Sequence, residues 1–204
     1  MLKDMRKQMK NNQKLKIGID IDDTIWKFHK KFFEYYNDRF GTKLNVENYY
    51  LYSLEKLLNI SQKEAFSLLD DFAISEFSYE FELMVGAIDS IRKLNEKYQV
   101  YFITARHEGL FESTLEKLKR HFDFDFEILF VFDKDRKLIK EKVDYCLEHG
   151  IDVLVDDRLK TLNSSSEKGI RSILINQPWN QREELPEKII RVNNWEEILR
   201  ELEK

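Results

Sequence analysis

Three carboxylates and a hydroxyl close a short apolar run in this chain, Ile17-Gly18-Ile19-Asp20-Ile21-Asp22-Asp23-Thr24. The apolar part reads as a buried strand, which puts Asp20, Asp22, Asp23 and Thr24 at its carboxyl tip. Two like charges about 4 Å apart repel by roughly 4 kcal/mol at an effective dielectric of 20. Such a cluster needs a partner, and a hard divalent cation bound through oxygen is the natural one. An isolated pattern of this kind is equally served by an acidic turn, because Asp and Thr are ordinary turn residues. The rest of the chain has to discriminate.

Polar residues also follow later apolar runs. Thr104 ends Phe102-Ile103-Thr104-Ala105-Arg106, and Asp156 and Asp157 end Val153-Leu154-Val155-Asp156-Asp157-Arg158. Lys142 opens the helical pattern that leads into the second of these. Lys134, Lys137 and Lys140 compete with it, and its spacing of fourteen residues before Asp156 favours Lys142. Together these groups suit phosphoryl transfer. One carboxylate can accept a phosphoryl group as an acyl-phosphate. A second can protonate the leaving alcohol and then deprotonate the attacking water. A hydroxyl and an ammonium can stabilise charge on the phosphoryl oxygens.

The elements that must position these groups are legible as alternation. Apolar bursts at Val100–Ile103, Phe126–Val131, Ile151–Val155 and Ser172–Ile175 resemble the first and read as strands buried on both faces. Helical periodicity separates them: Ala87/Ile88, Ile91, Leu94 and Tyr98; Leu110/Phe111, Leu115, Leu118 and Phe122; Ile139, Val143 and Cys146/Leu147 with a stop at His149-Gly150. Asn194 is placed to cap a last helix carrying Trp195, Ile198, Leu199 and Leu202. The pattern implies an α/β fold, a doubly wound parallel sheet with helices on both faces, in which ligands bind at the carboxyl ends of the strands.

Residues 26–85 interrupt the alternation. Phe28, Phe32, Tyr36 and Phe40 recur every four residues before Gly41, then Leu54, Leu57 and Leu58, then Ala65, Leu68 and Leu69 behind Ser61 as a cap. This reads as a small helical insertion after the first strand. The expected organisation is a tail over 1–15, a core over 16–25 and 86–204, and a cap over 26–85.

Composition sets limits. The chain has 204 residues, 42% hydrophobic and 35% charged, with 6 Gly and 2 Pro, which suits a globular protein without long linkers. A net charge of −4 argues against a polymeric nucleic-acid groove and leaves a small phosphorylated substrate open. No run approaches membrane-spanning length, and the Lys- and Asn-rich start lacks a signal-peptide core. A cytoplasmic location is expected, with no membrane partner and with room for a homodimer. The single Cys146 fits core packing in a reducing compartment. His29, His121 and His149 have no ligand spacing and read as helix-surface residues.

In their order along the chain, Asp20-Ile21-Asp22-Asp23-Thr24, Thr104, Lys142 and Asp156-Asp157 resemble the four motifs of haloacid-dehalogenase-superfamily phosphohydrolases, a likeness running from Lys16 to about Asn176. The resemblance implies Asp20 as nucleophile and Asp22 as general acid/base, with Thr104, Ala105 and Lys142 binding the phosphate. It implies Mg2+ on Asp20, the Asp22 carbonyl and Asp157, with Asp156 acting alongside. The acid at position 22 points away from dehalogenases. A narrower similarity is to the 5′(3′)-deoxyribonucleotidases and their bacterial nucleotidase relatives, through Gly86-Ala87-Ile88, Ile103-Thr104-Ala105-Arg106, residues 151–158, Pro178-Trp179-Asn180 and residues 191–195. It implies a phosphomonoesterase acting on nucleoside or deoxynucleoside monophosphates, with Phe28 in the position of a base-contacting aromatic. Asp23 stands where animal members of that group usually carry Gly.

Other readings stay open at this level. Phe28 also suits cap packing, and Arg106 and His107 suit either substrate contact or a surface ion pair. Trp179 and Asn180 carry no role readable from sequence. A sugar-phosphate phosphatase or a phosphomutase of the same superfamily uses the same motifs. A receiver-like phospho-acceptor domain shares the residue types, but there the Thr and Lys follow later strands and no second acidic pair comes late.

Overall fold

A computed structural model describes residues 14–50 and 53–203. The expected tail lies outside the described residues except for Lys14 and Leu15, and Leu15 already belongs to the first strand. Among the described residues the strands are β1 (Leu15–Ile19), β2 (Tyr98–His107), β3 (Glu127–Phe132), β4 (Val153–Asp156), β5 (Arg171–Ile175) and β6 (Ile189–Val192). They form one sheet in the order β3-β2-β1-β4-β5-β6, and every pairing is parallel. The expected α/β architecture is present. The sixth strand was not expected: Ile189-Ile190-Arg191-Val192 is short, is broken by Arg191 and follows Pro186, so it carries little strand signal.

Strand periodicity sorts the apolar side chains between two cores. Ile17, Ile19, Val100, Phe102, Val153, Val155, Ile173 and Ile175 face one, with Ile91 and Leu94 of α4 (Ala87–Lys97), Leu118 of α5 (Phe111–Lys119) and Trp195 and Ile198 of α8 (Trp195–Leu202). Tyr101, Ile103, Leu154 and Leu174 face the other, with Cys146 of α6 (Lys142–His149) and Leu159 and Leu162 of α7 (Leu159–Glu167). The chain runs from β1 outward to β2 and β3, then returns to β4 on the opposite side of β1. The carboxyl ends of β1 and β4 therefore meet where the strand order reverses, which is where such sheets bind ligands.

Between β1 and β2, before α4, the chain forms α1 (Phe28–Phe40), α2 (Leu54–Leu58) and α3 (Gln62–Ala73), with short 3-10 turns at Val46–Asn48 and Glu76–Ser78. Gly41 ends α1 in the left-handed conformation, φ 64°, and Ser61 and Glu64 make a reciprocal capping box on α3. Aromatic side chains hold this layer together, with Phe32, Phe33, Tyr35, Tyr49 and Phe72 buried around Trp179 from the segment after β5. Its two ends are stapled where they leave the sheet. Lys27 N donates to Glu82 O and Met84 N to Ile25 O, each at 2.8 Å, around a Trp26–Leu83 bridge.

The last helix also reaches the first turn. Asn194 caps α8 as expected, and the Trp195 indole Nε1 donates to the Thr24 carbonyl at 2.8 Å, with both residues fully buried. Trp195→Phe removes the donor and leaves that carbonyl unpaired, at a cost of about 1–3 kcal/mol. Urea unfolding of the two proteins should show this loss, and equal midpoints would contradict it.

Candidate active site

Asp20 directly follows β1 and extends its ladder, its N donating to Val155 O at 2.9 Å. Its carboxylate is buried, with one oxygen accepting from Lys142 Nζ and the other from Thr24 Oγ1 at 3.2 Å. Lys142, the first residue of α6, also donates to Asp156 Oδ2 at 2.7 Å. Lys140 instead pairs with Glu148 at the surface. Asp156 is fixed from its other side by Arg158 N at 2.8 Å, and Asp157 accepts from the Trp179 indole at 2.7 Å. Thr104 is fully buried at the end of the β2 core, its Oγ1 accepting from Arg106 N at 3.1 Å. The strand ends of β1 and β4 and the start of α6 thus bring Asp20, Asp156, Asp157 and Lys142 together, while Thr104 ends the neighbouring β2 core beside Arg106.

One ammonium serves three buried carboxylates there, so the charges do not balance. Burial lifts the Asp20 pKa to about 7; Lys142 pulls it back and the Asp156 charge pushes it up. Burial, then the charges of Asp20 and Asp156, raise Asp157 well above the usual carboxylate range. Burial opposes the charge on Lys142, but Asp156 and Asp20 outweigh it and raise its pKa. Asp20, Asp156 and Asp157 can each turn an oxygen to lie within 4.8 Å of the others. Three hard oxygen donors with surplus negative charge fit a divalent cation.

Asp22 points elsewhere. Arg106 grips it with both nitrogens, Nε to Oδ2 at 2.9 Å and Nη2 to Oδ1 at 2.8 Å, and Trp26 Nε1 donates to Oδ1 at 2.7 Å. Burial pushes this carboxyl up, but the Arg106 charge and the hydrogen bonds from Arg106 and Trp26 more than offset it, so its pKa is lowered. Arg106 reaches it because the β2–β3 register shifts between Thr104 and His107, and such irregularities re-aim side chains.

Asp23, which had no chemistry assigned from sequence, is buried with φ 58°. Its carboxylate meets His29 Nδ1 and the His29 backbone N, and Gln177 Nε2 donates to its carbonyl at 2.7 Å. His29 is therefore not a helix-surface residue: it is buried and locks the turn after β1. Asn180, equally without a sequence reading, donates to Asp157 O at 2.8 Å and Ile175 O at 2.9 Å. The only sequence signal for Trp179 and Asn180 was the resemblance of Pro178-Trp179-Asn180.

Above this floor lies a cavity of about 280 Å3, bounded by Asp20, Asp22, Ala105, Arg106 and Lys142 below and by the insertion above. Phe28, Phe66, Phe72 and Phe81 line its apolar side. Phe28 lines the cavity and also packs within the aromatic layer, stacking on Phe81 and meeting Phe72 edge-on.

Residues 13–202 match the family "5' nucleotidase, deoxy (Pyrimidine), cytosolic type C protein". A Bacillus subtilis protein named "Putative nucleotidase YqfW" is 33% identical over 91% of this chain and 92% of its own length. A 5'(3')-deoxyribonucleotidase of the same organism is 26% identical over 91% of this chain and 97% of its own. A haloacid dehalogenase-like hydrolase from Streptococcus pneumoniae shares the fold, with TM-score 0.63 and 18% identity over 92% of this chain and 98% of that one. The Bacillus subtilis HAD-hydrolase YfnB, bound to magnesium, has TM-score 0.61 and 16% identity over 94% and 100%.

The raised carboxyls give the floor a definite pH sign. In the fold Asp20 keeps a proton up to about pH 7 that the unfolded chain, with the ordinary carboxyl value of 3.8, has already released. The stability it contributes is therefore lost as pH rises from about 4 to 7. A divalent cation must displace that proton, so it binds more tightly as pH rises. Titration calorimetry with Mg2+ should show affinity about tenfold or more higher at pH 8 than at pH 5.5, and an affinity flat with pH would contradict the assignment.

Proposed function

The chain belongs to the cytosolic type C 5′-nucleotidase family of haloacid-dehalogenase-like hydrolases, and from that premise we propose that it is a Mg2+-dependent phosphomonoesterase acting on nucleoside or deoxynucleoside monophosphates. The observation that carries this is the cluster of Asp20, Lys142, Asp156 and Asp157 at the strand ends, with Asp20 and Lys142 lining the foot of one cavity. Asp20 Oδ attacks phosphorus and forms an acyl-phosphate as the ester oxygen departs with a proton from Asp22. Water then attacks the acyl-phosphate, giving its proton to Asp22 and returning Asp20 as carboxylate with free phosphate. Lys142, Thr104 and the Ala105 backbone hold the phosphoryl oxygens throughout. Asp20, Asp157 and the Asp22 carbonyl, with Asp156 alongside, would hold Mg2+, which would supply charge neutralisation for the phosphate.

Asp22, as gripped by Arg106, is in the carboxylate form that the hydrolytic half needs. The first half needs it protonated, so the Arg106 pair must open when substrate enters. The insertion excludes water from the floor and selects the leaving group. Its four phenyl rings give the cavity an apolar, aromatic side, which favours a nucleoside over a bare sugar. A small soluble substrate and a cytoplasmic location go with this reading, and no helix among the described residues is long and apolar enough to cross a membrane.

Phosphate release from nucleoside monophosphates, deoxynucleoside monophosphates and sugar phosphates, with and without Mg2+, tests the proposal. Asp20→Asn should lower turnover by about a thousandfold or more while its melting curve stays that of a folded protein. Undiminished turnover in that variant sinks the mechanism. A tenfold advantage of sugar phosphates over every nucleotide moves the substrate to a sugar phosphate and leaves the chemistry standing.

A further inference from the structure

Beyond Arg106, which Asp22 holds, the cavity wall carries more basic groups than acids. Away from Asp20, Asp22, Asp23 and Lys142, the lining includes Arg106, His107, Lys117 and Arg136, with Glu55 as an acid. These are not solvated surface charges. The side chains of Arg106, His107 and Arg136 are 9%, 13% and 16% exposed. Lys117 lies on the face of α5 that also turns Ser113 to the cavity, and its ammonium reaches a backbone carbonyl, Ser113 O at 3.5 Å, rather than a carboxylate. Asp70 of α3 pairs with Arg136 and lies 3.4 Å from His107 Nε2, so one acid serves two basic groups. His107 Nδ1 and Arg136 Nε are buried and make no hydrogen bond.

The wall works against its own charge. Burial depresses Lys117, and Arg106 and Arg120 depress it further; burial and then Arg136 do the same to His107. Desolvated cations such as Lys117 and Arg136, with the Arg136 Nε donor left unused, complement an anion. The reacting phosphate does not meet that need, because it is placed at the floor with Thr104 and Lys142.

We propose that this wall is a second anion subsite, and that the substrate is a phosphate monoester bearing a further anionic group, a second phosphate or a carboxylate. The proposal rests on the phosphomonoesterase reading and narrows its substrate class. Within nucleotides it selects a nucleoside bisphosphate, one phosphate at Asp20, the base against the phenyl rings and the second phosphate on the wall. Lys117 and Arg136 are then specificity residues rather than catalytic ones.

Matched substrates test it: a deoxynucleoside 5′-monophosphate against its 3′,5′-bisphosphate, and a phosphorylated hydroxy acid against its methyl ester. The wild-type protein should prefer the doubly anionic member of at least one pair by about tenfold or more in kcat/KM, chiefly through KM, and less so in added salt. The responding pair tells phosphate from carboxylate. Lys117→Met, and the double variant with Arg136→Met, should bring that ratio towards one, whereas Lys117→Arg should keep it. A ratio near one in every wild-type pair overturns the subsite, as does a ratio that survives in a folded double variant. Phosphate release without preference overturns the subsite alone. No release from any member overturns the phosphomonoesterase reading, and the subsite falls with it.

Discussion

The site depends on one ammonium confined among carboxylates. Lys142 bridges Asp20 and Asp156, residues that close the adjacent strands β1 and β4. A buried ion pair is weak evidence of stability, because desolvation offsets most of its attraction. What this one supplies is geometry. It fixes the nucleophile candidate against the end of the neighbouring strand while leaving a negative surplus that Asp157 enlarges. Protons or a metal ion must carry the balance, so the same shortage of positive charge sets both the protonation state of the floor and its appetite for a cation.

Hydrogen bonds from outside the sheet hold that surplus in place. Trp179 fixes the Asp157 carboxylate, Asn180 its carbonyl, Gln177 the Asp23 carbonyl and Trp195 the Thr24 carbonyl. Asp23 tolerates φ 58° because a short polar side chain suits the left-handed region and because His29 holds its carboxylate. Most of these supports come from one segment, Gln177–Asn180, just after β5. They let a turn carrying several acids persist at a strand tip without collapsing onto the nearest base.

Most of the sheet was legible because buried parallel strands write themselves as short apolar runs, and the helices because their faces repeat and their caps are local. Ser61, Gly41, Gly150 and Asn194 all stop or start helices where sequence places them. Lys142 was separable from Lys140 only by spacing, and the structure puts Lys142 on Asp20 and leaves Lys140 at the surface. The failures share a cause. β6 is as short as β4 but is interrupted by Arg191 close behind Pro186, so it does not stand out, while the burial of His29, the anchoring by Trp179 and the Arg106–Asp22 pair are contacts between residues far apart in sequence or out of helical phase. No local pattern encodes them. A polar residue on a helix reads as solvated until the partner that buries it is known.

The placement of the insertion ties substrate capture to Asp22. Its first connecting segment begins with Trp26, four residues after Asp22, and pairs with the returning segment at Leu83. Trp26 donates to Asp22, stacks on Phe81 at 5.3 Å between ring centres and lies under the Arg106 guanidinium at 5.1 Å. One indole therefore touches the proposed proton-transfer carboxylate, the cation that holds it ionised, and an aromatic ring that lines the cavity. The stem of residues 26–85 and the proposed acid/base group are thus built from a single stretch of chain, so the packing of the aromatic layer and the hydrogen bonds of Asp22 share one side chain.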